Sequence, residues 1–103
     1  TVITVRADRI DAPVAIRFKD QMYDQLPGAK GRVLLDLKHV RFIDSSGLGA
    51  LVAAMKMTAP DRKLELAGLA QPVAKVFRLT RLDQVFTIHD DVATAMGGQR
   101  IAT

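Results

Sequence analysis

The spacing of apolar residues changes along the chain between a strand-like and a helix-like pattern, which predicts strands and helices in turn. Val2, Ile3 and Val5 begin a strand-like run that continues, with interruptions, through Ile10. Asp11 then stands where a helix N-cap is expected, with a proline inside the first turn. The next apolar residues recur at the spacing of one helical stripe, namely Ala15, Phe18, Met22 and Leu26. The stretch PGAKG (27–31) predicts the end of this first helix.

Three more strand-like segments alternate with three more predicted helices. RVLLDL (32–37), KLELAG (63–68) and VFTIH (85–89) are short and apolar, as expected of strands in a covered sheet. A second helix is predicted over 47–58, ending before APDR (59–62), and a short closing helix follows Asp90 or Asp91 as its cap. The residues expected to face the sheet are Leu48, Leu51, Val52 and Met55 in the second helix, and Val73, Val76 and Phe77 in the third.

This element order, β-β-α-β-α-β-α-β-α, predicts an α/β fold. We expect a sheet of four to five strands packed by about four helices, with right-handed crossovers between parallel neighbours. The first two strands have no helix between them and can pair antiparallel, which would make the sheet mixed. At 103 residues, without a repeat or a long linker, the chain is expected to form a single domain over 1–103.

The composition excludes several classes of protein. The absence of cysteine excludes disulfides and thiolate chemistry, and we expect a cytoplasmic protein because no signal segment or 18-residue apolar stretch occurs. The net charge is +4, but the basic residues are scattered and no aromatic residues are interleaved with them, so nucleic-acid binding is not expected. Lys75, Arg78 and Arg81 form a basic stripe on the third helix, and the sequence does not reveal its role.

Motifs for catalysis are missing. The nucleophile-elbow motif G-x-S-x-G fails around Ser45 because residue 43 is isoleucine, and GLGALV (47–52) lacks the last glycine of G-x-G-x-x-G. The only histidines are His39 and His89, and neither is part of a catalytic or metal-binding pattern. We therefore expect no enzyme activity, no metal site and no cofactor.

The stretch RFIDSSGLGAL (41–51) is unusual at the head of the second helix. Asp44, Ser45 and Ser46 can each cap a helix, although one cap suffices. Gly47 and Gly49 each cost up to about 1 kcal/mol relative to alanine in a helix, so we expect something to come close to the backbone here. The face formed by Gly49, Ala50, Ala53 and Met57 is small and uncharged, as in a partner surface. The residues predicted to bind a partner are Asp44, Ser46, Gly47, Leu48, Gly49, Ala53 and Met57.

A phosphate at this helix head would act as a switch. It would carry a charge of about −1.5 to −2, which the free N–H groups and the helix dipole tolerate without unfolding the domain. A docked partner would have to accommodate a desolvated dianion beside Asp44. The same modification can therefore leave the fold intact and end the binding.

The segment VLLDLKHVRFIDSSGLGALVAAMK (33–56) resembles the signature of STAS domains (sulfate transporter and anti-sigma factor antagonist). The resemblance is greatest to the free-standing bacterial anti-sigma factor antagonists. VRADRIDA (5–12) resembles the family's second strand and loop, and LAGLAQPVAKVFRLTRLDQVFTIHDD (66–91) resembles its C-terminal half. The similarity thus covers essentially the whole chain.

The resemblance implies a mixed sheet packed by helices and a phosphorylated serine directly after the aspartate, which here is Ser45. It implies two protein partners, an anti-sigma factor serine kinase of the histidine-kinase-like ATPase type and a metal-dependent serine phosphatase. The unphosphorylated antagonist binds the anti-sigma factor and releases the sigma factor, and phosphorylation abolishes that binding. The antagonist itself supplies no catalytic group and has no nucleic-acid or membrane partner.

Other members of the family serve in different assemblies. Some are STAS subunits of lipid-transport ABC complexes, and others are regulatory tails of anion transporters. The alternative function is therefore a transport-complex subunit or another non-transcriptional regulatory module. The intact D-S-S-G-L-G sequence (44–49) favours the phosphoswitch.

Overall fold

The computed structural model describes residues 1–28, 31–58 and 63–97. The strands are β1 (Val2–Thr4), β2 (Arg9–Ile10), β3 (Val33–Asp36), β4 (Phe42–Ile43), β5 (Leu64–Ala67) and β6 (Thr87–His89). The helices are α1 (Ala12–Gln25), α2 (Ser45–Thr58), α3 (Gln71–Leu79) and α4 (Val92–Ala95). The α/β fold with four helices is confirmed. The predicted helix stop at 59–62 lies outside the described residues, and none of the described helices has the length and apolar character needed to cross a membrane.

The strands form two parallel sheets. The larger has the order β1-β3-β5-β6, and a two-stranded sheet pairs β2 with β4. The antiparallel pairing considered for the first two strands is not observed, because β1 pairs with β3 while β2 pairs with β4. This exchange of partners brings Ile10 opposite Ile43, where both side chains are buried in the core.

The main core lies between the larger sheet and helices α1, α2 and α3. The predicted stripe of α1 is confirmed, since its four apolar residues are all buried. Asp11 caps α1, its Oδ1 accepting a hydrogen bond from the N–H of Val14 at 3.5 Å. In α3, Val73 and Phe77 are buried, and Phe77 meets Phe86 edge-on at 5.9 Å between ring centroids. Each such apolar side chain contributes about 1.5–3 kcal/mol when fully buried.

Helix α2 buries only part of the predicted face, since Leu51 is the only one of the four residues expected to cover the sheet that is fully buried. Its buried residues are Gly47, Ala50, Leu51, Ala54 and Thr58, whereas Leu48, Val52 and Met55 are only partly buried. Ala50, expected on the outer face, is therefore an inner residue. Because α1 packs directly against α2, small side chains are needed where the helices and β-strands approach most closely. Leu48, Val52 and Met55 pack against the core while remaining partly exposed.

The opposite face of the larger sheet carries a charged cluster. Leu34 and Ala67 on this face are covered by Ala95 of α4. Glu65 is buried beside them, and both of its carboxylate oxygens accept hydrogen bonds from the Arg32 guanidinium at 2.8 Å. Nε2 of His89 lies 2.7 Å from Glu65 Oε1. The hydrogen bonds from Arg32, supported by His89, lower the pKa of Glu65 to about 2.

This ion pair predicts a specific acid sensitivity. Since the folded-state pKa of Glu65 lies below its usual 4.5, the paired carboxylate stabilises the fold above that pH, and the contribution is lost as the pH falls towards about 2. Glu65→Gln should be less stable than wild type at neutral pH and should lose this part of the pH dependence. Urea unfolding at a series of pH values measures both effects.

Asp20→Asn is the matched control, because Asp20 is exposed and forms no salt bridge within the described residues. It should retain the wild-type slope between pH 4.5 and 2. Parallel pH profiles for wild type and Glu65→Gln would show that this carboxylate does not contribute to the acid response.

Candidate functional site

Asp44 is the N-cap of α2. Its Oδ1 accepts a hydrogen bond from the N–H of Gly47 at 3.0 Å, and its carbonyl oxygen accepts one from the N–H of Leu48 at 2.9 Å. The Asp44 N–H donates in turn to the Ile10 carbonyl oxygen at 3.4 Å. Of the three residues able to cap this helix, the aspartate performs the task, and it also ties the helix to β2.

The capping by Asp44 leaves the two serines available. Ser45 and Ser46 are both exposed, and neither hydroxyl forms a hydrogen bond with any of the described residues. They occupy the first turn of α2, where backbone N–H groups lack partners within the helix and the dipole is positive. An exposed, unengaged hydroxyl therefore lies at the end of the helix that best accepts an anion.

The two glycines of the motif have different surroundings. Gly47 is buried, and a Cβ there would collide with the carbonyl oxygen of Ile10 and lie 2.6 Å from Cγ1 of Ile43. Gly49 is exposed, and a Cβ there would meet no atom within 4 Å. The close approach inferred from the sequence occurs at Gly47, where the approaching groups belong to β2 and β4.

The outer face of α2 is small and almost uncharged. Ser45, Ser46, Gly49 and Lys56 are exposed and Ala53 is partly exposed, so Lys56 carries the only charge on the helix. The predicted partner residues Asp44, Leu48 and Met57 are also partly exposed, while Gly47 is buried. Met57 further lines a groove of about 320 Å³ together with Met22, Tyr23 and Leu26 of the α1 end. All the predicted partner residues except Gly47 thus have exposed surface.

Sequence reasoning missed Phe42, an exposed aromatic residue close to the helix head. Phe42 is 45% exposed and lies in β4, two positions before Asp44. The guanidinium of Arg9 lies over its ring at 4.8 Å, held also by a 3.1 Å ion pair between Arg9 Nε and Asp11 Oδ2. The sequence RFID (41–44) does show an aromatic residue next to the helix head. Only the pairing of β2 with β4, however, reveals that Arg9 lies over its ring.

The described residues do not form a hydrolytic or metal centre around the serines. His39 is exposed, His89 is engaged by Glu65, and neither is hydrogen-bonded to Ser45. Within 1–28, 31–58 and 63–97, no group of three or more potential ligands could hold a metal ion.

Comparison with known proteins identifies this architecture. A family model described as the STAS domain matches residues 1–95. A crystal structure of a candidate anti-sigma factor antagonist from Thermotoga maritima has a TM-score of 0.81 and 27% identity, over 96% of this chain and 87% of that one. The anti-sigma factor antagonist SpoIIAA in its unphosphorylated form has a TM-score of 0.74 and 20% identity, over 96% and 86%.

The same fold occurs in a protein of a different description. A sulfate transporter family protein from Wolinella succinogenes matches with a TM-score of 0.70 and 18% identity, over 97% of this chain and 85% of that one. At this level of identity, and at that of SpoIIAA, the likeness is one of fold. The arrangement of strands and helices is therefore shared between relatives described as antagonists and one described as a transporter.

The contrast between the glycines gives a matched pair of variants. Gly47→Ala should destabilise the fold by about 1–3 kcal/mol or more, because the added Cβ overlaps the backbone of β2. Gly49→Ala should be neutral or stabilising by up to about 1 kcal/mol, because alanine favours the helix and the space is open. Chemical denaturation of the two variants measures the difference. Equal stabilities would contradict the close approach at Gly47.

Proposed function

Because this chain belongs to the STAS domain family, we propose that it is an anti-sigma factor antagonist regulated by phosphorylation of Ser45. In its unphosphorylated form it binds an anti-sigma factor, a serine kinase of the histidine-kinase-like ATPase type, and thereby releases a sigma factor. Phosphorylation abolishes the binding, and a metal-dependent serine phosphatase restores it. The domain acts as a binding module and provides no catalytic group of its own.

The observation that supports this proposal best is the free hydroxyl of Ser45, the residue directly after the capping Asp44. Ser45 is the first residue of α2 and is exposed, and the carboxylate of Asp44 already satisfies the N–H of Gly47. A kinase can therefore reach the hydroxyl without breaking the cap. Thr58, at the other end of the helix, is buried and donates its hydroxyl to the Met55 carbonyl at 2.7 Å, so it is a poor substrate.

The electrostatics of the helix head support a switch that leaves the fold intact. A phosphate on Ser45 would lie at the positive end of the α2 dipole, close to N–H groups without helical partners. The surface of α2 around this phosphate carries only one charged side chain, Lys56. A docked partner would contact the phosphate on that surface. A dianion on such a surface must be desolvated when a partner docks, at a cost of several kcal/mol unless the partner supplies compensating charge.

A STAS subunit of a lipid-transport complex, or another non-transcriptional regulatory module, is the alternative function. Such a subunit would bind its partner whether or not the Ser45 hydroxyl is modified. The likeness to the sulfate transporter family protein is one of fold, whereas the exposed serine behind the aspartate cap favours the phosphoswitch. The effect of Ser45 phosphorylation on partner binding is thus the property that separates the two functions.

We predict that the cognate anti-sigma factor kinase, supplied with ATP, transfers one phosphate to Ser45. Tandem mass spectrometry should locate the phosphate there, Ser45→Ala should remain unmodified, and the adjacent control Ser46→Ala should still receive the phosphate on Ser45. Ser45→Ala should also stay bound to the kinase in the presence of ATP. A phosphate on Ser46, or loss of kinase binding in a folded Ser45→Ala protein, would contradict the assignment.

We also predict that the outer face of α2 contacts the kinase. Ala53→Glu should weaken binding by about tenfold or more, because a buried charge without a partner costs more than 1 kcal/mol at an interface. The melting temperature should change little, since Ala53 is partly exposed and is not among the buried residues of α2. Calorimetric titration and thermal melting measure the two effects.

Ala93→Glu is the control for this prediction. It places the same charge on an exposed alanine of α4, which packs on the opposite face of the sheet. It should bind the kinase as wild type does. If Ala53→Glu unfolds the domain, α2 is buried on both sides, and if it binds normally, the kinase docks elsewhere.

A further inference from the structure

A groove lies between the edge of the larger sheet and helix α1, and it shares no residue with the head of α2. Its volume is about 340 Å³, near the lower end of the roughly 300–1,000 Å³ typical of small-molecule pockets. One wall is the chain from Ile3 to Ala7, and the other is the face of α1 that carries Val14, Arg17 and Gln21. β1 is an edge strand, so the groove is open on the side away from β3.

The floor of the groove is apolar. Val5, Phe18 and Met22 line it, and each of these side chains is also part of the buried core. Ile3 and Val14 extend this apolar surface and are only partly buried. The apolar surface that faces water in the groove therefore comes mainly from Ile3 and Val14, and the hydrocarbon portion of a ligand could cover it at a gain of about 25 cal/mol for each Å² removed from water.

The rim of the groove is basic. Arg6 and Arg17 line it, both are exposed, and neither forms a salt bridge within the described residues. Arg9 and Arg32, by contrast, are paired with Asp11 and Glu65. No aspartate or glutamate lines the groove, so the charge of its two arginines is not balanced there.

The main chain of β1 adds a further donor. The N–H of Val5 donates to the Asp36 carbonyl at 3.1 Å, which fixes the orientation of the strand. Because successive residues of a strand direct their backbone groups to opposite sides, the N–H of Thr4 points away from β3, towards the open edge. The groove thus combines an apolar floor with two guanidinium groups and a backbone donor.

We propose that this groove binds a single amphiphilic anion, with the hydrocarbon part of the ligand against Ile3 and Val14 and its carboxylate or phosphate group at Arg6 and Arg17. A guanidinium group forms paired, charge-assisted hydrogen bonds with either type of headgroup. Neutral amphiphiles lack that interaction, and small anions lack the apolar contact. This site is independent of the function proposed for α2, because its residues belong to β1, the following loop and α1.

The test is a titration of the complete chain with sodium decanoate below its micelle concentration, followed by amide NMR. Decanoate should produce saturable shifts concentrated in residues 3–7 and 14–22. Decyl phosphate should produce the same pattern. Decanol, which lacks the charge, and acetate, which lacks the chain, should each bind at least about tenfold more weakly, as expected when charge-assisted hydrogen bonds or the apolar contact are lost.

The double variant Arg6→Gln/Arg17→Gln should bind decanoate at least about tenfold more weakly than wild type. Lys75→Gln/Arg78→Gln removes the same net charge from α3 and should bind decanoate as wild type does. All four side chains are exposed, so thermal melting should show that both variants remain folded.

Three results would overturn the proposal: equal binding of decanol and decanoate, wild-type binding by the groove variant, or shifts that spread over the surface without saturating. Sedimentation with phosphatidylglycerol vesicles tests separately whether the chain binds a charged lipid surface. Binding to vesicles without saturable decanoate binding would also overturn it, because the chain would then recognise a charged surface instead of a single ligand.

Discussion

The contact between Gly47 and β2 is the constraint on which the functional end of this domain depends. The backbone of α2 lies so close to the Ile10 carbonyl that no side chain fits at position 47. The hydrogen bond from the Asp44 N–H to the same carbonyl holds the residue before the helix. Ile10 and Ile43 are in register in the small sheet, so the start of α2 is fixed by β2 and β4 together.

This constraint determines what remains exposed. With Asp44 engaged as the cap and Gly47 packed inward, the hydroxyl groups that the first turn of α2 presents to solvent are those of Ser45 and Ser46. The small residues Ala50 and Ala54 are buried in the helix packing, while Leu48, Val52 and Met55 stay partly exposed. The result is an outer helix face with exposed hydroxyls at one end and little charge along its length, which suits the docking and phosphorylation proposed for it.

The sequence predicted those elements whose energetics are local. The apolar stripe of α1, its Asp11 cap and the inward residues Val73 and Phe77 follow from helical spacing and capping chemistry, and the structure confirms them. In α2 the burial of Leu51 was predicted, but that of Ala50 and Ala54 was not, because hydrophobic size was taken as the guide, whereas close packing of the helix selects small residues. The hydrophobic periodicity of the sequence does not reveal this preference for small residues.

Contacts between residues distant in sequence were the features that could not be predicted. The pairing of β2 with β4 places Arg9 over Phe42, and the sheet order places Arg32 and His89 on either side of Glu65. Both depend on which strands pair and in which register, and strands of two to four residues carry too little pattern to specify this. In the candidate site, the motif 44–49 indicated the place, but only the structure assigned capping to Asp44 and close packing to Gly47.

We propose that a phosphate on Ser45 ends partner binding while the fold persists. The most direct measurement is a calorimetric comparison of kinase binding by the unmodified chain and by the chain phosphorylated stoichiometrically at Ser45, with amide spectra of both. We expect an affinity loss of about a hundredfold or more, with spectral changes confined to the start of α2 and the adjoining β2 and β4. Equal affinities, or a phosphorylated chain that has lost its folded spectrum, would contradict it.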